Sequence, residues 1–345
     1  MKTIELTKEL LQISSESGKE KEIGKFLLKR LKRNFNVKIQ KVDNRFNILA
    51  SIGKPEILLT THMDTVPKQL EVREDKNYLY GRGACDTKSI IACMIIAGEE
   101  AINTGIRNFG ILFDVSEETD FSGIKEAVKL VTPKIIIVGE PTDFKLATGQ
   151  KGLLGIKIKC FGKNAPGSTP EKGRSAINRL IEILYKINKI KLPNNKILGK
   201  TSLNIGKING GIAANVVPDY AEAIIEFRTI KKNEYIMRKI KNLVKNKEFQ
   251  IIYNFEPVIN KGNLPKILKF KKIIVPYFTE MYFWNKSNVF VFGPGKYKFA
   301  HSDIEKIRKV DVENGKNCYL KILKILSNKE SYINKFEEVN SLWRV

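Results

Sequence analysis

The chain has 345 residues, 42% of them hydrophobic and 28% charged, and carries a formal charge of +24. That length predicts about two domains of ~100–200 residues each. Lysines are spread along the whole chain among abundant Ile and Asn, without clusters of basic and aromatic residues, so the charge reads as a solvated basic surface that helps attract anionic partners and not as a nucleic-acid-binding face.

Cys85, Cys93, Cys160 and Cys318 form no CxxC pair and no disulfide-scaffold spacing. They read as reduced thiols. The N-terminus lacks the apolar core of a signal peptide, and no run approaches the ~18 apolar residues of a membrane span. A cytoplasmic chain without a membrane or nucleic-acid partner is expected.

Leu6, Leu10, Leu11 and Ile13 recur at helical spacing over residues 5–15. Ser17 with Glu20 three positions later has the form of a capping box opening a second helix to about Leu31. Val37–Val42 and Phe46–Ile52 read as short strands. Ile57–Thr61 reads as a buried strand running into Thr61-His62-Met63-Asp64-Thr65-Val66-Pro67. The chain has 2 histidines, His62 and His301, and a histidine at a strand end is in general more often a hydrogen-bonded structural residue than a ligand.

After a polar hairpin-like region comes Tyr80-Gly81-Arg82-Gly83-Ala84-Cys85-Asp86-Thr87-Lys88-Ser89, then a mostly apolar and therefore buried helix from about Ser89 to Asn103. Strand Gly110–Val115 leads into Ser116-Glu117-Glu118, and strand Lys134–Val138 leads into Gly139-Glu140-Pro141-Thr142. Alternating strands and helices indicate an α/β sheet, and such folds place their sites beyond the strand ends. The pattern then changes. Strand 153–161, helix 174–190, strands 202–208 and 215–228, helix 231–245 and strand 248–255 give β-α-β-β-α-β, the order of a small ferredoxin-like insert. Gly262–Pro265 marks the return, followed by a helix near Lys266–Lys272, strand Val289–Phe292 leading into Gly293-Pro294-Gly295, His301, and a helix over roughly Ile304–Leu326. The last residues, Trp343 among them, are uninformative.

His62, Asp64, Asp86, Glu117, Glu118, Glu140 and His301 all lie close after an apolar run or in a glycine-marked loop. Two imidazoles with three carboxylates suit two divalent ions sharing a carboxylate, and the nitrogen and oxygen donors favour zinc. Glu117 and Glu118, adjacent on an extended segment, would face opposite sides, one to a metal and one to substrate. Without a metal, so many buried carboxylates would have raised pKa values.

At these residues the chain resembles the co-catalytic zinc hydrolases that include acetylornithine deacetylase, succinyl-diaminopimelate desuccinylase, aminoacylases and glutamate-releasing carboxypeptidases. The motifs are THMDTVP at 61–67, YGRGACDTKS at 80–89, SEE at 116–118, VGEPT at 138–142, QKG at 150–152, GGIAANVVP at 210–218, EFR at 226–228, FTEMYFW at 278–284 and GPG…AHSDIE at 293–305. They arise in the family's order over nearly the whole chain. The resemblance implies an α/β zinc-hydrolase catalytic domain with a mixed central sheet (residues 1–151 and 258–345) and an inserted ferredoxin-like α+β lid and dimerisation domain (152–257).

It also implies roles. His62, Asp86 and Glu140 would hold one zinc, and Glu118, His301 and the bridging Asp86 the other, with cobalt or manganese as substitutes. Asp64 would orient the His62 imidazole. Glu117 would take the proton of the attacking water and pass it to the leaving amine. Asn215 and Arg228 would contact a substrate carboxylate, Arg228 through its two-pronged donor geometry, although a strand-end salt bridge is an equally ordinary use of that residue. Thr279-Glu280 and Phe283 tilt the resemblance toward acetylornithine deacetylase, hence deacylation of a small N-acyl amino acid by a homodimer. Desuccinylation, hydrolysis of a carrier-linked lysine and dipeptide cleavage are the alternatives within the same site.

Departures from the family pattern are equally specific. The family has a histidine at the head of the insert that reaches the active site, often from the neighbouring subunit, and stabilises the oxyanion; Pro166 stands there. Proline offers no donor, and both histidines are already assigned to metal, so a weakly active, ligand-binding member is a further alternative. Ser116, Asp120, Thr87 and Ser89 are smaller departures that flank the metal site.

Overall fold

The apolar runs of the first 150 residues fold into one layered unit, seen in a computed structural model that describes residues 2–245, 248–260, 262, 264, 268–284 and 288–328. Helices α1 (Lys2–Gln12) and α2 (Lys21–Leu31) come first, burying Leu6, Leu10 and Leu11 of α1 and Ile23, Leu27 and Leu31 of α2. Helix α1 stops at Gln12, short of the predicted end. The predicted capping box does not form: Ser17 Oγ donates to Asp64 Oδ2 at 2.6 Å, and Glu20 accepts from Arg45 at 3.1 Å. Next come strands β1 (Asn36–Val42), β2 (Arg45–Ile52) and β3 (Ile57–His62), the short ribbon β4 (Arg73–Glu74) and β5 (Tyr78–Tyr80), helix α3 (Lys88–Asn103), strand β6 (Phe109–Asp114), helix α4 (Ser122–Ala127), and strands β7 (Ile135–Val138) and β8 (Leu146–Gln150).

The insert follows as strand β9 (Gly152–Phe161), helix α5 (Ala176–Asn188), a ribbon of β10 (Asn194–Asn195) and β11 (Gly199–Lys200), strands β12 (Ser202–Gly210) and β13 (Tyr220–Thr229), helix α6 (Glu234–Lys241) and strand β14 (Phe249–Phe255). Its sheet has the order β12-β13-β9-β14 with every pair antiparallel. This is the ferredoxin-like arrangement, in which the two ends of the chain segment lie side by side. Alternate residues of β13, Ala221, Ala223, Ile225 and Phe227, are buried with Leu180, Ile183, Leu184 and Ile187 of α5 and Ile236 and Ile240 of α6. Ser175 caps α5, its Oγ accepting from Asn178 N at 3.1 Å.

The chain returns through β15 (Val258–Ile259), which pairs with Gly149–Gln150, then β16 (Lys272–Val275), β17 (Asn288–Val291), β18 (Lys306–Arg308) and helix α7 (Lys309–Ser327). Of the helix predicted near Lys266–Lys272, residues 265–267 lie outside the described residues, as does Trp343; Leu268 is in a 3-10 helical conformation, and Lys272 opens a strand. The C-terminal helix starts five residues later than predicted, because Lys306–Arg308 pairs with β5 instead.

Two units result. The first comprises the chain to Thr148, Asn260–Ile273 and the part from Thr279 onward; the second comprises Gly149–Ile259 and Ile274–Phe278. In the first unit the sheet runs β1-β2-β6-β3-β7-β17-β8. The central pairs β6–β3, β3–β7 and β7–β17 are parallel, and the flanking pairs β1–β2, β2–β6 and β17–β8 antiparallel. Every residue of β3 and β6 is buried, as parallel strands covered on both faces require. Helix α3 packs against α1 and α7 and is buried along most of its length. Among the described residues no helix is long and apolar enough to cross a membrane.

Candidate metal centre

The C-terminal ends of the parallel strands deliver the polar residues. His62 is the last residue of β3, Glu117 and Glu118 follow β6, Glu140 follows β7, and the chain beyond β17 leads to His301. Asp86 comes from the loop before α3, and the peptide that follows it is cis. Close approach requires glycine before Glu140: a Cβ on Gly139 would lie 2.5 Å from Met94 and 2.6 Å from Ile90.

Asp86 lies between the two imidazoles. Its Oδ1 is 3.3 Å from His62 Nε2 and its Oδ2 is 3.3 Å from His301 Nε2, while Glu118 Oε1 is 2.8 Å from His301 Nε2. Donor atoms of His62, Asp86 and Glu140 lie within 4.8 Å of one another, as do those of Asp86, Glu118 and His301, and those of His62, Glu117 and Glu118. All five predicted ligands and the predicted base are thus brought together.

Asp64 does more than aim an imidazole. Its main-chain carbonyl lies 3.0 Å from His62 Nδ1; since a carbonyl only accepts, Nδ1 carries the proton and Nε2 faces Asp86. Its carboxylate accepts from Glu117 N at 3.0 Å, Glu118 N at 3.1 Å and Ser17 Oγ at 2.6 Å. The two glutamates therefore sit on a turn and not on the extended segment predicted. Ser116 enters that turn at φ +64°, and its hydroxyl bonds to Arg45. His301 has φ +59°. Left-handed backbone is uncommon for residues other than glycine, and it occurs here on two of the loops that carry donors.

Electrostatics split the acids. Burial pushes Glu117 and Glu140 well above the ordinary carboxylate range, and raises Glu118 despite its bond to His301. Burial also opposes charge on Asp86 and Asp64, but the two imidazoles around Asp86, and His62 and Ser17 around Asp64, hold these two below the ordinary range. His301 is raised to about 11 by Asp86 and Glu118, and His62 is raised although burial opposes it, through Asp64 and Asp86. A cluster in which three carboxyls are driven toward neutrality around two imidazoles fits divalent cations, which would let every carboxylate ionise. Imidazole and carboxylate donors match zinc.

Several participants carry no sequence assignment. Arg82 and Glu305, both buried, pair at 2.8 Å, and Glu305 Oε1 accepts from the backbone N–H of Cys85 at 2.9 Å and Asp86 at 3.0 Å. Asp114, paired in register with His62, and Glu280 are completely buried carboxyls. Their only sequence signal is a charged residue within an otherwise apolar or glycine-rich motif.

Thr279 is buried, and its Oγ1 accepts from Met281 N at 3.2 Å, capping the turn Glu280–Phe283. In the inserted unit, the segment around Pro166 runs antiparallel to Asn215–Val217: Gly167 N donates to Asn215 O at 2.6 Å and Val217 N to Ala165 O at 2.8 Å. This puts Asn215 beside the Pro166 segment. Arg228 on β13 is half-buried, with Nη2 2.9 Å from Glu226 Oε1.

Residues 148–251 match the peptidase dimerisation domain of M20 proteins. A peptidase M20 domain-containing protein of Schizosaccharomyces pombe is 30% identical over 337 residues, covering 93% of this chain and 84% of that protein. The chain belongs to the M20 peptidase family. A probable carboxypeptidase of Aspergillus flavus is 32% identical over 369 residues, covering 91% of this chain and 88% of its own. Among solved structures, a tripeptidase from Staphylococcus aureus shares the fold with a TM-score of 0.80 at 24% identity, over 94% of this chain and 98% of that one. YXEP of Bacillus subtilis, described as a dinuclear metal-binding peptidase of the M20 family, shares the fold with a TM-score of 0.67 at 16% identity, over 94% of this chain and 97% of that one. The chain is accordingly a metal-dependent hydrolase of this family.

Proposed function

We propose that this M20 member hydrolyses the amide bond of a small peptide-like substrate that ends in a free carboxylate, a class that includes short peptides and N-acyl amino acids such as N-acetylornithine. The observation that carries it is Asp86, whose two oxygens face two separate imidazoles with Glu140 on one side and Glu118 on the other. In this reading His62, Asp86 and Glu140 hold one ion and Asp86, Glu118 and His301 the second, zinc by donor chemistry. Two such ions would polarise the scissile carbonyl and lower the pKa of an attacking water.

The remaining work falls to the chain. Glu117 lies beside His62 and Glu118, and burial raises its carboxyl; ionised beside a cation, a carboxylate so placed suits a general base. Its carboxylate accepts the proton of the attacking water and returns it to the leaving amine nitrogen. Asp64 fixes the His62 tautomer and, through two backbone N–H groups, the turn that carries Glu117. Thr279 contributes through the turn that it caps. Asn215 and Arg228 are the candidates for the substrate carboxylate. The desuccinylase and carrier-lysine alternatives differ only in the acyl group or leaving amine.

A homodimer through the insert is part of the proposal. Edge strand β12 is exposed along almost all of its length, with Ile208 59% exposed, and α5 presents Ile181 and Tyr185 at 59% and 60%. Four free thiols suit a reducing, cytoplasmic setting. To test the chemistry, metal-loaded and chelated protein are incubated with dipeptides, tripeptides, N-acetylornithine and succinyl-diaminopimelate, and free amine is measured. Release that depends on metal is expected. Equal release from chelated protein refutes the reading, and sedimentation as a monomer refutes the dimer.

A further inference from the structure

Three segments supply donors from distant parts of the sequence, and one buried ion pair touches all three. Arg82 Nε donates to the carbonyl of Lys68 at 3.2 Å, six residues after His62. Its Nη1 donates to the carbonyl of Ser302 at 3.3 Å, next to His301, and to Glu305 Oε2 at 2.8 Å. Glu305 Oε1 accepts from the N–H groups of Cys85 and of Asp86 itself, at 2.9 and 3.0 Å. The side chains are 4% and 1% exposed. Around them, Gly81 N donates to Glu305 O at 3.2 Å, and β18 pairs with β5 through Lys306 and Tyr80.

We propose that Arg82 and Glu305 are positioning residues, a clamp that sets the separation of Asp86 and His301 before any metal arrives. The inference rests on the two-metal reading above. Neither side chain is a ligand: the guanidinium cannot bind a cation, and each Glu305 oxygen is already engaged. A carboxylate accepting two adjacent backbone N–H bonds fixes the peptide from which Asp86 projects, and a planar guanidinium reaching two carbonyls and a carboxylate fixes the other two loops relative to it. Outer partners that orient ligands in this way typically govern metal affinity by about 10–100-fold.

The test uses the full-length protein in four forms: wild type, Glu305→Gln, Arg82→Lys and the double variant Arg82→Met/Glu305→Gln. An amide at 305 offers one acceptor oxygen where two were used, and a lysine at 82 keeps the charge but not the fork. The double variant removes both buried charges together, which proteins commonly tolerate better than losing one, so it guards against unfolding of the single variants. Equilibrium dialysis against zinc and the visible spectrum of the cobalt-loaded protein are the readouts, with circular dichroism confirming the fold. The expected result is two ions bound by wild type, with affinity for at least one ion about 10–100-fold weaker in the folded variants, a changed cobalt spectrum, and activity that recovers as metal is added. Folded variants with wild-type affinity and spectrum for both ions overturn the clamp alone. A wild type that binds no metal overturns the two-metal reading and the clamp with it.

Discussion

The donor cluster and the head of the insert are both places where the family resemblance puts catalytic groups, yet they are built differently. Around Asp86, His62 ends a parallel strand and Glu117, Glu118 and Glu140 follow such ends, while Asp64 holds the backbone of Glu117 and Glu118 and Glu305 that of Asp86. At the head of the insert, Asn164 and Pro166–Ser168 are exposed, and the segment is held by backbone bonds to Arg174 and to Asn215–Val217. The first region is held by buried side chains that bond to its backbone; the second is held by main-chain pairing and by the exposed bond from Asn164 Nδ2 to Asp219 Oδ2 at 3.0 Å. A substitution such as Pro166 is easily accommodated in the second, whereas any change in the first disturbs a shared network.

The sharpest way to break this comparison lies inside the cluster. Geometry offers His62, Glu117 and Glu118 as a donor group as well as His62, Asp86 and Glu140. If Glu117 is the base, Glu117→Ala lowers kcat by about 10²–10⁴-fold and leaves bound metal unchanged. Glu140→Ala instead loses metal, and activity returns in part when metal is added. Elemental analysis with steady-state kinetics separates the two. Metal lost from Glu117→Ala with metal retained by Glu140→Ala would exchange their roles.

A gain tests the second region. Deleting one oxyanion donor costs about 10²–10³-fold, and Pro166 has none to offer. Pro166→His in an exposed segment should leave thermal stability unchanged and raise kcat, at most by about that factor. An unaltered kcat would mean that this segment supplies no oxyanion contact in this protein.

Much of the first region was legible because burial on both faces leaves parallel strands as uninterrupted apolar runs, and the residue after such a run marks a strand end. His62, Glu140 and the Glu117–Glu118 pair were found in that way. What sequence misjudged was local bonding with long-range competitors. Ser17 and Glu20 have capping-box spacing, but a buried carboxylate at Asp64 and the guanidinium of Arg45 are stronger partners than helix N–H groups. Ser116 carries no glycine signal for its left-handed turn, so the glutamates were expected on an extended segment. Arg82 and Glu305 are 223 residues apart, and nothing in either motif announces the other. Lys272–Val275 as a strand is likewise decided by tertiary pairing.

Asp114 and Glu280 give the smallest and most specific test, because they share the cluster's burial without its partners. No donor among the described residues hydrogen-bonds to any of their four oxygens; the two carboxyls face each other, with the His62 imidazole as the nearby group that favours their charge. Burial raises Asp114 to about 6, and burial together with Asp114 raises Glu280 well above its ordinary value. An acid whose folded pKa lies above its unfolded value binds more protons when folded, so its contribution is present at low pH and is lost as pH rises from about 4 to about 6. Asp114→Asn removes that penalty and gives Glu280 an amide donor. With metal chelated, the variant should melt a few degrees above wild type at pH 8, a gain of about 1–3 kcal/mol, and the difference should vanish near pH 4. A variant less stable than wild type at both pH values would show that Asp114 holds its charge through a partner stronger than Glu280, which would make it a supporting group of the cluster and not an isolated acid behind it.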